Sequence, residues 1–167
     1  MVNRARRGDR SALEELFRRI YPGLKGFLTK LTLDEDLAEE IAQEAAYRAL
    51  AHLDGYRPQA RFFTWIAAIA VNIWRNLRRS AGRTIPMGEV PERAADDPAE
   101  AAEQREIRSL LAVLPQEKRV VMVLKHYEGL TYEEIAAVLR CPVGTVRSRM
   151  RDALTILRRE AQRRGMF

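Results

Sequence analysis

The chain has 167 residues, with 29 lysines and arginines against 23 aspartates and glutamates and a net charge of +6. This length allows one domain or two small ones, and a charge excess of this size does not by itself establish a nucleic-acid partner. A single cysteine, Cys141, excludes an internal disulfide, and no Cys or His pair has zinc-ligand spacing, so we expect no metal and no other cofactor. There is neither a signal peptide nor an apolar run of the roughly 20 residues that a membrane span needs, which predicts a cytoplasmic protein without membrane insertion.

Apolar residues at helical spacing predict an amphipathic helix over residues 12–31. Asp9 or Ser11 can cap its start, and Pro22 is expected to kink or divide it. We assign this helix to the core and give it no chemistry.

A second helix is predicted over residues 35–53, with a narrow apolar stripe on one side. Its remaining face is crowded with polar side chains that include Glu40, Gln43 and Glu44. Two interpretations stay open at this point, because periodicity cannot separate a solvated surface from a docking surface for a partner helix.

The stretch 54–61 is a loop punctuated by Gly and Pro, and the most apolar and aromatic helix of the chain follows it, ending in several arginines. Aromatic rings beside a loop, with arginines one or two turns further on, suit single-stranded nucleic acid, because bases stack on rings and Arg neutralises phosphates. Most of these rings are expected in the core. Tyr56, in the loop, is the candidate for an exposed ring.

Residues 84–104 contain three prolines, few apolar residues and six acidic ones: Glu89, Glu92, Asp96, Asp97, Glu100 and Glu103. This composition predicts a flexible acidic linker whose last residues can already be helical. Two modules are therefore expected, one on each side of it.

The second module begins with a predicted helix over residues 101–114, and Pro115 opens the next one. Thr131 and Glu134 have the spacing of a capping box, which predicts the start of a third helix. The run Arg140-Cys141-Pro142 breaks the chain before a fourth helix.

The fourth helix has an apolar stripe predicted to face the core, formed by Val143, Val146, Met150, Leu154 and Leu157. The remaining positions include Thr145, Arg147, Ser148, Arg151 and Asp152. From residue 140 to the end there are eight arginines against two acidic residues. A helix, a tight turn and a basic helix form the shape that enters a DNA major groove, where Arg can fork onto guanine and Ser or Thr can bond bases or phosphates.

Several of these sequence motifs resemble those of bacterial extracytoplasmic-function sigma factors, also called group 4. Leu114-Pro115, the run from Glu128 to Ala136 and the run from Cys141 to Arg149 are similar to region 4 of that family. The run from Ala38 to Glu44 is similar to region 2.2, and Thr64-Trp65-Ile66 with Ile69-Ala70-Val71-Asn72 is similar to regions 2.3 and 2.4.

The resemblance implies an all-α fold of two small helical domains: region 2 over residues 1–83, a linker over 84–103 and region 4 over 104–167. It also implies a dissociable sigma subunit that directs bacterial RNA polymerase to promoters and performs no covalent chemistry. The expected partners are the clamp helices of the polymerase's largest subunit, the flap of its second-largest subunit, promoter DNA and an anti-sigma factor.

The resemblance further assigns residues to these partners. Glu40, Gln43 and Glu44 would bind polymerase, and the loop from Gly55 to Arg61 would capture a flipped base of the minus-10 non-template strand. Extruding a base costs a few kcal/mol, which stacking and hydrogen bonds can offset. The residues implied at the minus-10 element are Tyr56, Arg57, Arg61 and Asn72. At the minus-35 element Arg147, Ser148 and Arg151 would read the groove, and Thr145 and Arg149 would meet phosphates.

Two other classes of protein compete with this interpretation. A helix-turn-helix repressor or activator acting without polymerase would explain the second module, but it leaves the aromatic loop and the acidic helix of the first module unexplained. An enzyme such as a recombinase is disfavoured because His52 and His126 stand alone and no acidic cluster is placed as a metal site.

Overall fold

A computed structural model describes residues 1–80 and 98–166, with side chains from residue 102 onward in the second range. The regular structure of these residues is helical, which confirms the predicted all-α fold. The elements in chain order are α1 (Val2–Arg6), α2 (Arg10–Thr32), α3 (Glu35–Ala51), a 3₁₀ turn (Leu53–Gly55), α4 (Phe62–Ser80), α5 (Pro98–Ala112), α6 (Gln116–His126), α7 (Tyr132–Leu139) and α8 (Val143–Arg163). Most of the predicted linker, residues 84–97, lies outside the described residues, and its last part, from Pro98, belongs to α5.

The helix starts follow the sequence signals. The Asp9 carboxylate accepts a 3.0 Å hydrogen bond from the Ala12 backbone N–H at the start of α2, which selects Asp9 over Ser11 as the cap. Thr131 and Glu134 form the predicted capping box. Pro22 does not divide α2, which is one helix through that exposed position. On an exposed face, water can bond the carbonyl that proline leaves without a partner.

The N-terminal half, α1 to α4, is built on α2, α3 and α4. Their apolar stripes meet in a core in which Phe27, Ile41, Ile66 and Trp74 are almost fully buried. A smaller apolar cluster joins α1 and the first part of α2 to the start of α4 and to the loop between α3 and α4. This second cluster fixes the loop that follows α3.

The C-terminal half, α5 to α8, is a helical bundle ending in the helix-turn-helix of α7 and α8. Arg140 ends α7 in the left-handed conformation, at φ 51°, and Cys141 and Pro142 lead into α8. The prediction that Leu154 faces the core is wrong, because Leu154 is 36% exposed and Ala153 is fully buried in its place. Buried positions at 146, 150 and 153 follow the 3.6-residue period more closely than a strict four-residue step does.

The two halves pack directly on each other. Helix α4 packs on α7, α2 packs on α6, and buried residues of both halves belong to one continuous apolar cluster. The sequence left this placement open. In the described residues, therefore, the two predicted modules do not stand apart.

Arginines cap helix ends across this contact. Arg119 Nη1 donates a 3.1 Å hydrogen bond to the carbonyl of Leu31, and Arg108 Nη2 donates one of 2.9 Å to that of Leu33. Both carbonyls lie at the end of α2, where a helix leaves carbonyls without intrahelical partners and where its dipole favours a cation. Arg75 does the same in the opposite direction, since its Nη1 donates a 2.8 Å bond to Leu139, the last residue of α7.

Within the described ranges, no helix has both the length and the apolar character needed to cross a membrane.

Candidate nucleic-acid and protein-docking interface

The outer side of α8 carries the side chains that the sequence assigned to a DNA groove. Val146, Met150 and Ala153 are buried and define its inner side. At 100° per residue, Ser148 projects almost opposite to them, with Arg151 about 60° to one side of it. Arg151 is exposed, Arg147 is exposed on the edge next to it, and Ser148 is half-buried with its hydroxyl donating to the carbonyl of Thr145 at 3.0 Å. One side of α8 therefore presents two arginines and a hydroxyl to solvent.

Arg149 lies apart from that group. Its Nη2 is 3.0 Å from Glu117 Oε2 on α6, and its side chain is 26% exposed. Arg147 is 3.7 Å from Glu133 on α7, and this pair is about two-thirds exposed on both sides. An exposed pair of this kind contributes little and can be exchanged for a phosphate or a base. Arg147 is therefore free to change partner, whereas Arg149 is held beside α6.

The polar face of α3 is organised by a residue that the sequence did not single out. Tyr21 donates a 2.6 Å hydrogen bond to Oε1 of Glu39, and Lys25 pairs with Oε2 of the same carboxylate at 2.5 Å. Gln43 then donates a 3.0 Å bond to Glu39. Hydrogen bonds from Lys25, Tyr21 and Gln43 lower the pKa of Glu39 to about 2. Glu39 thus anchors α3 to α2 and orients Gln43, the centre of the predicted docking face.

The predicted docking residues border a groove between α3 and α4. Glu40 and Gln43 are exposed, Glu44 pairs with Arg48 at 2.6 Å, and Ile73 and Leu77 form the α4 wall. Tyr47 lies on the same groove and is 70% exposed. Exposed aromatic side chains are enriched at protein interfaces. The groove therefore combines carboxylates with apolar surface, which fits a docking site better than a merely solvated face.

The prediction that Tyr56 has an exposed ring is wrong, because Tyr56 is 6% exposed. Its ring packs at 5.2 Å from that of Phe62 and 5.6 Å from that of Trp65, measured between centroids. Its hydroxyl donates a 2.6 Å hydrogen bond to the carbonyl of Ala60. Packing a large ring against two others is more favourable than leaving it in water, and the loop supplies a hydrogen-bond acceptor for the hydroxyl. The spacing of Tyr56, Phe62 and Trp65 was the signal for such a cluster.

The other residues of the predicted minus-10 site are on the surface. Arg57, Arg61 and Asn72 are all exposed. Arg61 is the residue before α4, and Asn72 lies on that helix eleven residues further on, about 16 Å along the axis at 1.5 Å per residue. The structure thus places Arg57 and Arg61 on the surface of the loop, Asn72 on the surface of α4, and Tyr56 underneath the loop.

A second groove lies on the C-terminal half. Ile107 and Leu110 of α5, Met122 of α6 and Leu154 and Leu157 of α8 line it, together with Tyr127. Leu154 and Tyr127 are 36% and 42% exposed. This apolar surface explains why Leu154 is outside the core: it completes a groove between helices. The helical period of α8 could have revealed this position of Leu154.

No cluster of three or more His, Cys, Asp or Glu side chains suited to a metal ion occurs in the part of the chain that the structure describes. Cys141 is half-buried in the turn of the helix-turn-helix.

Family models match both halves of the chain. Residues 16–84 match the model described as sigma-70 region 2, and residues 104–157 match the model described as sigma-70, region 4. The first match contains α3 and α4 with the loop between them. The second contains α6, α7 and residues 143–157 of α8.

Curated relatives match over nearly the same extent. The RNA polymerase sigma-H factor of Pseudomonas aeruginosa is 34% identical over 170 residues, covering 90% of this chain and 86% of that protein. The ECF RNA polymerase sigma-E factor of Escherichia coli K12 is 31% identical over 166 residues, with the same coverage of 90% and 86%.

Two solved structures share the fold. The sigma factor RpoE of Bartonella quintana, solved with the anti-sigma factor NepR, aligns with a TM-score of 0.75 at 22% identity, covering 87% of this chain and 94% of that one. CnrH, solved with the cytosolic domain of CnrY, aligns with a TM-score of 0.74 at 24% identity, covering 96% and 94%.

Proposed function

Because the chain belongs to the extracytoplasmic-function group of sigma-70 RNA polymerase sigma factors, we propose that it is a dissociable polymerase subunit that directs promoter-specific initiation of transcription. The observation that carries this proposal is the presence of region 2 and region 4 in one chain, aligned with curated sigma factors over 90% of its length. A helix-turn-helix regulator that acts without polymerase would account for region 4 alone. We assign region 2 to residues 1–83, the linker to 84–103 and region 4 to 104–167.

We assign the polymerase contact of region 2 to Glu40, Gln43 and Glu44. These side chains border the groove between α3 and α4, and the anchored Glu39 holds Gln43 in place. The partner is the pair of clamp helices in the largest subunit. Carboxylates with an exposed Tyr47 beside them suit a partner that is basic at its rim and apolar at its centre.

We assign the flap of the second-largest subunit to the apolar groove of region 4. An amphipathic helix can lay its apolar face between α5 and α8, against Tyr127 and Leu154. Leu154 and Leu157 lie about 10 Å or more further along α8 than Arg147, at 1.5 Å per residue, so the flap can bind this groove while DNA binds the start of the helix.

The minus-35 duplex is read by α8. Arg147, Ser148 and Arg151 face the bases of the major groove, and Thr145, at the start of the helix, meets a phosphate. Arg149 can reach a phosphate only by leaving Glu117, so we give it the smaller share of the binding free energy.

The minus-10 non-template strand is bound by the loop before α4 and by the side of α4 that carries Asn72. Arg57 and Arg61 are exposed and supply positive charge for the phosphates. Tyr56 is buried, so we propose that it holds the loop in shape and meets a flipped base only if the loop rearranges.

Other features of the family are proposed for the whole protein. We propose an anti-sigma factor as its regulator, a location in the cytoplasm where polymerase acts, and no catalytic activity of its own. The two solved relatives were captured with NepR and with the cytosolic domain of CnrY, which supports a regulator of this kind.

The test is transcription in vitro from a library of promoters with purified core polymerase, with and without this chain. We expect initiation at a defined subset of promoters only when the chain is added. A Gln43→Ala/Glu44→Ala variant should lose this activity while still folding. Initiation that is independent of the chain, or repression by it, would refute the proposal and favour a conventional DNA-binding regulator.

A further inference from the structure

One acidic side chain lies on the side of α8 that we assign to DNA. The segment from Thr145 to Asp152 carries three arginines and two hydroxyls, and Asp152 is its only acid. Asp152 follows Ser148 by four residues, so it projects about 40° away from Ser148 and lies about 6 Å further along the helix. Its side chain is 52% exposed. A carboxylate is therefore presented beside Ser148 and Arg151.

Helix α6 holds this carboxylate in place. Lys118 Nζ is 3.5 Å from Oδ2 of Asp152, and the lysine side chain is only 26% exposed. The preceding residue of α6, Glu117, pairs with Arg149 at 3.0 Å. Two neighbouring residues of α6 thus bind two residues of α8 through ion pairs of opposite polarity. An acceptor that is already oriented loses less conformational entropy on binding than a freely rotating side chain does.

A carboxylate in this place is unfavourable for binding DNA in general. A duplex carries one phosphate charge for about every 1.7 Å of its axis, and these charges repel Asp152. The edges of two bases offer a compensating contact, because cytosine N4 and adenine N6 are amino groups that donate into the major groove. An ionised carboxylate accepts hydrogen bonds and cannot donate them. Guanine O6 and thymine O4 are acceptors, so they give Asp152 no bond and repel it.

We propose that Asp152 is a specificity-determining residue of the minus-35 site and accepts a hydrogen bond from the exocyclic amino group of a cytosine or an adenine. It favours a base that presents this group and rejects one that presents an acceptor in its place, so it acts by attraction and by repulsion. Lys118 is a positioning residue, because it orients the carboxylate without touching DNA. The inference rests on the proposed function, since it needs α8 in the groove of a minus-35 element.

The base that Asp152 contacts differs from the one that Arg147 contacts. Asp152 lies five residues after Arg147, or about 7.5 Å along α8 at 1.5 Å per residue. At ~3.4 Å per base pair this distance corresponds to about two base pairs. Substitutions of the two residues should therefore change the preference at two different positions of the element.

The experiment measures binding of the holoenzyme to promoters in which each minus-35 base pair is replaced in turn by the other three. At one position we expect the wild type to discriminate by about tenfold, which is typical of a single mismatched base pair. Asp152→Ala should lose affinity for the preferred base pair and gain affinity for the rejected ones, because the bond and the repulsion disappear together. A uniform loss would indicate a structural role, and a uniform gain would indicate a charge effect; either result would overturn the proposal.

A modified duplex tests the hydrogen bond itself. The preferred cytosine or adenine is replaced by an analogue that has hydrogen in place of its exocyclic amino group. This change should weaken binding by the wild type well beyond its effect on Asp152→Ala, because only the wild type has the acceptor. Equal losses in the two proteins would show that Asp152 does not contact that group.

Matched variants separate charge from position. Glu106→Ala removes an exposed acid from α5 of the same half, and it should leave every base preference unchanged. Lys118→Ala should weaken the preference at the Asp152 position and leave the Arg147 position unaltered, and Lys118→Arg should restore it. A full preference in Lys118→Ala would refute the positioning role of Lys118.

The outcomes also separate this inference from the proposed function. Promoter selection that needs the chain and polymerase but is indifferent to Asp152 would refute the inference alone. Selection by the free chain, with the preference that depends on Asp152 intact, would refute the polymerase function alone.

Discussion

Arg75 of α4 donates a 2.8 Å hydrogen bond to the carbonyl of Leu139, the last residue of α7. The two residues are 64 positions apart and belong to different regions of the sigma factor. The helix that we assign to the minus-10 element thus caps the first helix of the helix-turn-helix that we assign to the minus-35 element.

Arg119 should be the most sensitive arginine for stability. It is 5% exposed and donates to the carbonyls of Leu31, Leu111 and Leu114. Arg119→Met leaves these buried carbonyls unsatisfied, and we expect unfolding by urea to show a loss of about 2–4 kcal/mol. Arg18→Met, at an exposed ion pair, should change stability by less than about 0.5 kcal/mol. Equal effects of the two substitutions would contradict the buried role of Arg119.

Substitutions of Arg147 and Arg149 should have different effects on promoter binding, although the two residues are only two positions apart. Arg147→Ala removes an exposed guanidinium from the DNA-facing side, and we expect a cost of about 1–3 kcal/mol at the cognate minus-35 site with one base preference relaxed. Arg149→Ala should weaken binding less and without altering base preference, because Arg149 is paired with Glu117. Promoter binding by the holoenzyme is measured against a panel of minus-35 sequences. A larger or base-specific effect at Arg149 would reverse the assignment.

Glu39 should matter for polymerase binding although it need not touch polymerase. Glu39→Ala frees Gln43 from its 3.0 Å hydrogen bond and Lys25 from its ion pair. We expect holoenzyme assembly to weaken, by less than in Gln43→Ala/Glu44→Ala, which removes the contact groups themselves. Glu14→Ala, an exposed acid on α2, is the control. If the double variant assembled normally, the docking face would have to be placed elsewhere.

The ion pair between Glu39 and Lys25 should make the stability of the protein depend on pH in the acid range. The pKa of Glu39 is lowered to about 2 from an ordinary value of 4.5, with Lys25 as the largest cause. A depressed carboxyl pKa means that the stabilisation is fully present above pH 4.5 and is lost as pH falls toward 2. The melting temperature of the wild type should therefore exceed that of Glu39→Gln at pH 7, and the two should converge below pH 4.5. A difference that is constant from pH 7 to pH 3 would exclude this cause.

Tyr56→Phe tests whether the loop is held by the tyrosine hydroxyl. The substitution keeps the rings of Phe62 and Trp65 packed but removes the 2.6 Å bond to Ala60. We expect a loss of about 1 kcal/mol in stability. The substitution should slow open-complex formation more than it slows initial promoter binding. Tyr56→Ala should enlarge both effects. Equal slowing of promoter binding and of opening would indicate a purely structural ring.

Local signals in the sequence were sufficient for much of the fold. Asp9 and Thr131 cap helices because their side chains reach nearby N–H groups, and such contacts depend on a few neighbouring residues. The break at Arg140 was equally legible, because Pro142 cannot continue α7. Residues 128–149 therefore predicted the helix-turn-helix and contributed to the family resemblance, which residues 38–44 and 64–72 also supported.

Errors arose where tertiary packing decides. Tyr56 was expected to be exposed because it follows Gly55 in a loop, but Phe62 and Trp65 of α4 bury it. Leu154 was expected to be buried because it continues the apolar stripe of Val146 and Met150, but it lines an open groove between helices. The caps of Arg75 and Arg108 were not foreseeable, because periodicity says nothing about which distant helix end an arginine will meet.

In the proposed function, the two DNA-binding sites act together only on polymerase. The most direct measurement is selection of bound DNA from a library randomised at both promoter elements, with and without core polymerase. We predict two sequence blocks at one fixed spacing when core polymerase is present, and no such paired motif with the free chain. Selection of the same spaced pair by the free chain would contradict the account.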